Sequence, residues 1–251
     1  AKELKRSGFG VVIAGRRVPL LMYADDVVMM SSSRKGMMTM NKIATDFAYK
    51  HRFQFNGAKS GEMVFNASKA LRAEVNNTRW VLFGDKVGVV DEYTYLGTIT
   101  CGNEADWTTH AKAAVKKAER RSADLLWVCR YDAGIRPRTA MVLWQAMVRP
   151  LLEYASEIWA GQVPAYIRAN AEMVQLKFIR GVMGLHANGS GVANEVLRAE
   201  VGAESIASRW AKLQLGFWRR IFVAPIDRLL RVVAIARHRE TCHHNPRLGS
   251  K

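Results

Sequence analysis

Cysteine is scarce in this chain. Cys101, Cys129 and Cys242 are odd in number and far apart, which excludes a disulfide framework and fits a reducing compartment. Long apolar runs are missing too: none approaches the roughly 20 residues a bilayer-spanning helix needs, and the first residues do not read as a signal peptide. No internal repeat or low-complexity segment is present. The scarcest commodity is negative charge. Only 22 Asp and Glu stand against 38 Lys and Arg, a formal net charge of +16. A field of that sign draws in polyanions, so nucleic acid is the leading partner and an anionic membrane surface the alternative.

What is there is ordinary globular material. Hydrophobic residues make up 49% and charged residues 24% of 251, which argues for a packed core rather than disorder. The excess charge is spread along the chain: residues 1–100 hold 15 basic and 9 acidic groups, residues 101–251 hold 23 and 13. A folded basic surface is implied, not a solvated tail. The chain starts at Ala1, and the expectation is a piece of a longer polypeptide.

Two composition regimes follow one another. Residues 1–100 are rich in β-branched and turn residues around one helix, and residues 105–240 are amphipathic helices separated by Pro and Gly. Apolar runs at 17–22 and 27–31 flank Tyr23-Ala24-Asp25-Asp26 and predict a hairpin with an acidic tip. Ser33 is placed to cap a helix over 34–51, with Met37, Met40, Ile43, Ala44 and Phe47 on its apolar face. Asn56-Gly57 marks a turn, 61–66 a strand, and 81–90 and 93–100 further strands, with Gly84-Asp85 as a turn. In the second regime Ala111, Val115, Ala118, Ser122, Leu125 and Cys129 line one face of a long helix. Pro137 suits the first turn of the next helix, which Arg149-Pro150 should interrupt. Helical patterns then cover 165–183, 191–199, 205–222 and 225–239.

Asp25 and Asp26 carry the sharpest chemical signal. Adjacent carboxylates repel one another, and a divalent cation removes that cost. Mg²⁺ takes a few carboxylates and lets phosphate oxygens complete its octahedron. Two such ions about 3.5–4 Å apart can activate an attacking hydroxyl and stabilise leaving pyrophosphate. The bland alternative is a solvated Asp-Asp turn, and an isolated Tyr-x-Asp-Asp turns up by chance in roughly a few per cent of chains this long.

The surroundings of that motif carry a resemblance. Leu20-Leu21-Met22-Tyr23-Ala24-Asp25-Asp26-Val27-Val28 resembles the (Tyr/Phe)-Ala-Asp-Asp strand–turn–strand of reverse transcriptases. Phe55-Asn56-Gly57-Ala58-Lys59-Ser60 is similar to the Asn-x-x-Lys-(Ser/Thr) element of the non-LTR (LINE-like) retrotransposon enzymes, and Tyr93-Thr94-Tyr95-Leu96-Gly97 to their Tyr-x-Tyr-Leu-Gly hairpin. Three elements in order are far more specific than one. Residues 144–159 are similar to the thumb segment of LINE-like elements, with Ala155 where the family often has Gly.

The resemblance implies an α+β fold: an antiparallel palm sheet with a packed helix, then a helical thumb and connector. It divides the chain into a partial palm (1–103), a thumb (104–161) and a connector with a basic tail (162–251). It implies an RNA-directed DNA polymerase that extends a DNA primer on an RNA template from deoxynucleoside triphosphates, with two Mg²⁺ ions, inside the cell and in the nucleus. Asp25 is then a metal ligand and Asp26 a supporting carboxylate that shares the metal. Tyr23 and Ala24 shape the turn, and Tyr95, Leu96 and Gly97 form a primer grip. Lys59 is either a cation near the triphosphate, acting as a general acid on pyrophosphate, or a surface lysine at the sheet edge. Asn56 reads as a turn former. The family's earlier palm Asp and its fingers have no counterpart before Tyr23, so the chain alone is expected to be inactive and the missing region to be a partner. A non-catalytic, maturase-like RNA-binding scaffold and a decayed remnant stay open as alternatives.

Lys112, Lys116 and Arg120 recur at four-residue spacing, with Lys117 and Arg121 adjacent. Like charges at that spacing destabilise a helix by a few tenths of a kcal/mol each, which a phosphate backbone would relieve. Trp127, Trp144, Trp159, Trp210 and Trp218 read as packing residues rather than stacking platforms. His238, Cys242, His243 and His244 are too crowded, with one thiol, for a closed tetrahedral zinc site, and read as a basic tail.

Overall fold

The computed structural model describes residues 2–102, 106–131, 135–185 and 191–244. The chain is α+β and forms two compact units: Ala1–Gly97 with Cys101–Glu104 and Ile221–Lys251, and Thr98–Thr100 with Ala105–Arg220. Among the described residues no helix is long and apolar enough to cross a membrane.

The first unit is built of short strands. After helix α1 (Lys2–Arg6), β1 (Val11–Ile13) and β2 (Arg16–Val18) make an antiparallel ribbon, and β3 (Leu20–Tyr23) and β4 (Asp26–Met29) make another. The predicted 17–22 strand is divided at Pro19, which lacks the N–H to continue a ladder. Helix α2 (Arg34–His51) runs as expected, and Ser33 caps it by accepting from the Gly36 N–H. Its buried stripe is Gly36, Met40, Ala44 and Ala48, while Phe47, placed on the apolar face by its spacing, is exposed. The stripe keeps a four-residue step, so small residues let the helix sit close to the β-structure.

A 3₁₀ turn (Gly57–Lys59) leads to β5 (Gly61–Glu62), much shorter than the strand expected over 61–66. Helix α3 (Lys69–Asn76) was not expected, although Ser68 caps it by accepting from the Leu71 N–H. β6 (Trp80–Leu82) and β7 (Asp85–Val89) pair antiparallel, and β5 joins β7 parallel, giving the order β5-β7-β6. β8 (Glu92–Tyr95) and β9 (Thr98–Cys101) form a last ribbon. Among the described residues the single antiparallel sheet expected from sequence is therefore replaced by four small sheets, one with a parallel pair. Two- to five-residue strands cannot carry a wide ladder, and the core of this unit is a modest cluster: Ala44, Val75, Trp80, Leu82 and Val87.

Three of the ribbons turn on two residues with positive φ: Ala14-Gly15, Phe83-Gly84 and Leu96-Gly97. That geometry matches the right-handed twist of the flanking strands, which is why glycine takes the second place. The β6–β7 turn is thus Phe83-Gly84, one residue earlier than predicted. Asp85 begins the next strand instead.

The second unit is helical: α4 (Thr108–Tyr131), α5 (Pro137–Met147), α6 (Arg149–Glu153), α7 (Ser156–Trp159), α8 (Ala165–Val182), α9 (Asn194–Val201) and α10 (Ile206–Val223), whose last turn belongs to the first unit, as does α11 (Leu229–His244). The predicted α4 face is buried throughout, Ala111 to Cys129. Pro137 opens α5, and Pro150 sits in the first turn of α6. One core joins α4 to α10, so the expected division at 161 falls inside this unit.

Aromatic residues anchor that core. Trp144, Trp159 and Trp210 are 0%, 0% and 2% exposed, and each indole N–H finds an acceptor: Ser122 Oγ (3.3 Å), the Tyr154 carbonyl (2.9 Å) and the Leu152 carbonyl (2.9 Å). A buried indole left unpaired would be destabilising. His110 packs edge-on to Trp159 and accepts from the Ile99 N–H; burial holds its imidazole below the usual pKa. Glu153, mostly buried, is clamped by Arg209 through two N–H donors at 2.8 and 3.1 Å.

Ala155 stands at φ 54° between α6 and α7. That left-handed conformation strains a residue with a Cβ by about 1–2 kcal/mol. Ala155→Gly is expected to stabilise the chain by about 0.5–1 kcal/mol after the entropic cost of glycine. A thermal midpoint raised by roughly 2–4 °C would be the readout; an unchanged or lowered midpoint would refute the strain.

Candidate nucleic-acid interface and acidic hairpin

The acidic motif lies where the sequence put it. Tyr23 pairs with Asp26 at the last rung of the β3–β4 ribbon, leaving Ala24 and Asp25 as the tip. Here only Ala24 has positive φ, at 52°. The other ribbons place glycine second in the turn; this one places Asp25 there and takes the strain at Ala24. Strain of about 1–2 kcal/mol held at a turn that projects two carboxylates is a pattern seen at functional sites. Tyr23, Ala24, Asp25 and Asp26 are all exposed.

The hairpin is apolar on both sides. Leu21, Met22, Tyr23 and Val27 are 41%, 56%, 66% and 38% exposed, so both faces are open near the tip, while Met29 at the base packs against the core of the unit.

Strand β8 gathers the other motifs. Successive side chains of a strand point to opposite faces, so Tyr93 and Tyr95 share one. The Tyr93 hydroxyl donates to the Lys59 carbonyl. Its ring packs against Gly61, where an added Cβ would come within 3.3 Å of the ring and 3.0 Å of Val90. The Tyr95 phenol is pushed up in pKa, first by burial and then by the Asp26 carboxylate. Tyr95 therefore lies in the field of the acidic hairpin, while Tyr93 fastens the Lys59 turn. Leu96 and Gly97 form the tip of the β8–β9 ribbon.

Asn56 acts as a turn former: its Oδ1 accepts from the Lys59 N–H at 3.1 Å. Lys59 itself is exposed. Two positioning residues escaped the sequence. Glu62 and Asn41 pair between β5 and α2 (2.9 Å), and burial raises the Glu62 carboxyl while that bond opposes the rise. Tyr93, part of the Tyr-x-Tyr-Leu-Gly motif, is given no role of its own by the sequence, and its hold on the Lys59 turn is seen only in the structure. Nothing in the sequence marks Asn41, whose burial depends on where α2 packs.

No family model, curated protein or solved structure matches the chain. The residues themselves carry the reading that follows.

In the second unit Lys112, Lys116, Lys117, Arg120 and Arg121 are all exposed on α4. Four of them, Lys116, Lys117, Arg120 and Arg121, line a groove of about 620 Å³ with an apolar floor of Met147 and Leu151 and one carboxylate, Asp124. Lys112 is set apart, its ammonium over the Tyr166 ring at 5.8 Å. Of the five tryptophans expected to pack, Trp127 and Trp218 are instead 66% and 45% exposed. Among the described residues no group of three or more His, Cys, Asp or Glu is arranged to hold a metal. The side chains of Cys242, His243 and His244 lie outside those described.

Proposed function

We propose that the chain is part of an RNA-directed DNA polymerase of the non-LTR retrotransposon type, contributing the later half of the palm and a basic thumb. One observation carries this reading: Tyr95 sits in the field of Asp26 while its strand neighbour Tyr93 holds the Lys59 turn. The Lys59 turn is thereby fastened to the strand that ends in the Tyr95–Gly97 tip, and the Asp26 carboxylate acts on that same strand, which supports a shared role for the three motifs.

The acidic hairpin fits Mg²⁺ in a specific way. Two exposed carboxylates are too few for a closed protein cage, yet they suit an ion that takes one or two carboxylates and fills its octahedron from substrate phosphates. When bound at Asp25 and Asp26, Mg²⁺ supplies activation of the primer hydroxyl and charge stabilisation on pyrophosphate. The chain's own residues hold the reactants. The β8–β9 tip, Tyr95 to Gly97, positions the primer end, the 3₁₀ turn presents Lys59 to the triphosphate, and the α4 groove tracks the phosphate backbone without reading sequence.

The uncovered apolar ribbon supports a further part of the proposal. A palm hairpin with Leu21, Met22 and Val27 exposed is one that neighbouring strands would cover, and the earlier strand carrying the other metal-ligating Asp is such a neighbour. The chain alone is then inactive. The test uses an RNA–DNA primer–template duplex with a photoreactive group at the primer 3′ end. Cross-links are expected on peptides containing 23–26 and 93–97, with no primer extension. Cross-links confined to other segments would refute the palm reading. Extension abolished by Asp25→Asn would refute the inactivity, and duplex binding without those cross-links would favour a non-catalytic RNA-binding scaffold.

A further inference from the structure

Helix α2 turns one side to the core and a chemically different side outward. Gly36, Met40, Ala44 and Ala48 form its buried stripe. Lys35, Lys42 and Tyr49 recur at intervals of two helical turns on the side opposite that stripe, and all three are exposed. Met38 shares that side and is 48% exposed. Lys50 and the C-cap residue Arg52, both exposed, flank Tyr49, and Asp46 is the acid on this side. Lys35 stands in the first turn of the helix, where the macrodipole disfavours a cation. Its charge works against α2 itself.

Tyr49 is 61% exposed even though its ring has a partner. The ring stacks on Phe83, with centroids 4.3 Å apart and planes 25° apart. Phe83 therefore backs one face, and the exposure belongs to the other face and the edge. Phe83 is strained in that position: its φ is 54°, in the left-handed region that crowds a Cβ. Its N–H donates to Thr45 Oγ1 at 3.0 Å, one turn of α2 before Tyr49, which seats the β6–β7 turn against the helix. Backbone strain of this kind clusters where a site is held ready for a ligand. The outcome is a firmly backed aromatic face at the end of a cationic row.

We propose that the outward side of α2 binds an unpaired nucleic-acid strand, with a base stacked on the open face of Tyr49 and phosphates along Lys35 and Lys42. An aromatic face accepts any base, because every base presents a π-face, and a basic track beside it supplies the remaining attraction. Base-paired nucleic acid keeps its bases stacked on one another and offers none to an outside ring. A lipid surface would call for a broad apolar face, and this side of α2 sets Met38 between two lysines instead. The proposal does not draw on the polymerase reading: none of these residues belongs to the acidic hairpin, the Lys59 turn, β8 or the α4 groove.

The full chain should be titrated by fluorescence anisotropy with short labelled single-stranded RNA, single-stranded DNA of the same sequence, and a blunt RNA–DNA duplex. Tyr49→Leu keeps an apolar side chain over Phe83 and removes the π-face. It is expected to weaken single-strand binding by roughly five- to hundredfold, the range for losing one stacked base, and to leave the duplex within about twofold. Tyr49→Phe keeps the ring and should bind as the unaltered chain does. Lys35→Ala combined with Lys42→Ala should make the salt dependence of single-strand binding shallower by about 1.4 units of log K per log salt, two contacts at about 0.7 each. That second arm stands even where a changed circular dichroism spectrum shows Tyr49→Leu to disturb the β6–β7 turn. A loss with Tyr49→Leu on RNA, on DNA or on both supports the site and names the strand it takes. No loss in a folded Tyr49→Leu chain, equal losses on the duplex, a loss as large with Tyr49→Phe, or an unchanged salt slope in the double lysine variant would each overturn it. Failure of the unaltered chain to bind the duplex bears on the polymerase reading and leaves a Tyr49 effect on single strands standing.

Discussion

Changing Lys112, Lys116 and Arg120 together to alanine is expected to flatten the salt dependence of duplex binding by about 2–3 units of log K per log salt. Each phosphate contact contributes a slope of about 0.7–0.9 through counterion release. Over a fourfold rise in salt, the affinity lost by the triple variant should be roughly fifteen- to sixtyfold smaller than that lost by the unaltered chain. The three residues are not equivalent. Lys116 and Arg120 line the groove, whereas Lys112 already sits over Tyr166, an attraction of about 0.5–1 kcal/mol at an exposed site. Lys112→Ala alone should therefore change the slope least. Lys212, ion-paired with Glu204 in the same unit, provides a control whose removal should leave the slope almost unchanged. An unchanged slope in the triple variant would take the duplex off α4 and remove the thumb assignment.

Trp159→Ala should lower the stability of the helical unit by about 3–5 kcal/mol, the usual range for deleting a fully buried tryptophan. The side chain has no exposure, stands edge-on to Trp210 at 5.0 Å and to His110 at 5.6 Å, and donates to the Tyr154 carbonyl. Its loss opens a cavity and also strands a buried acceptor, two costs that do not simply add. Set against the 5–15 kcal/mol typical of domains, the loss would move the urea midpoint down by roughly 2 M. Six of the seven tryptophans lie in this unit, so intrinsic fluorescence follows its unfolding with little contribution from Trp80. A shift below about 1 kcal/mol would mean that Trp210 and His110 close over the space.

The sequence alone was enough for features set by local chemistry. Ser33 before a periodic apolar run specified the start of α2, Pro137 that of α5, and six residues at helical spacing specified the buried face of α4. The acidic hairpin was legible because two apolar runs flank a polar tip, and Asn56 because a side chain that bonds its own turn needs no distant partner. Trp127 was legible in principle, since its phase relative to Arg120 places it on the charged side. The tertiary structure decided the rest. Short strands find partners through long-range pairing, so the parallel register of β5 on β7 and the separation into small sheets could not be read from alternation. The strain at Ala24 and Ala155 appears only when backbone angles are known. The bond from Tyr93 to the Lys59 turn and the influence of Asp26 on Tyr95 arise from packing between segments up to seventy residues apart, and a linear pattern records what each segment can do but not which other segment it will face.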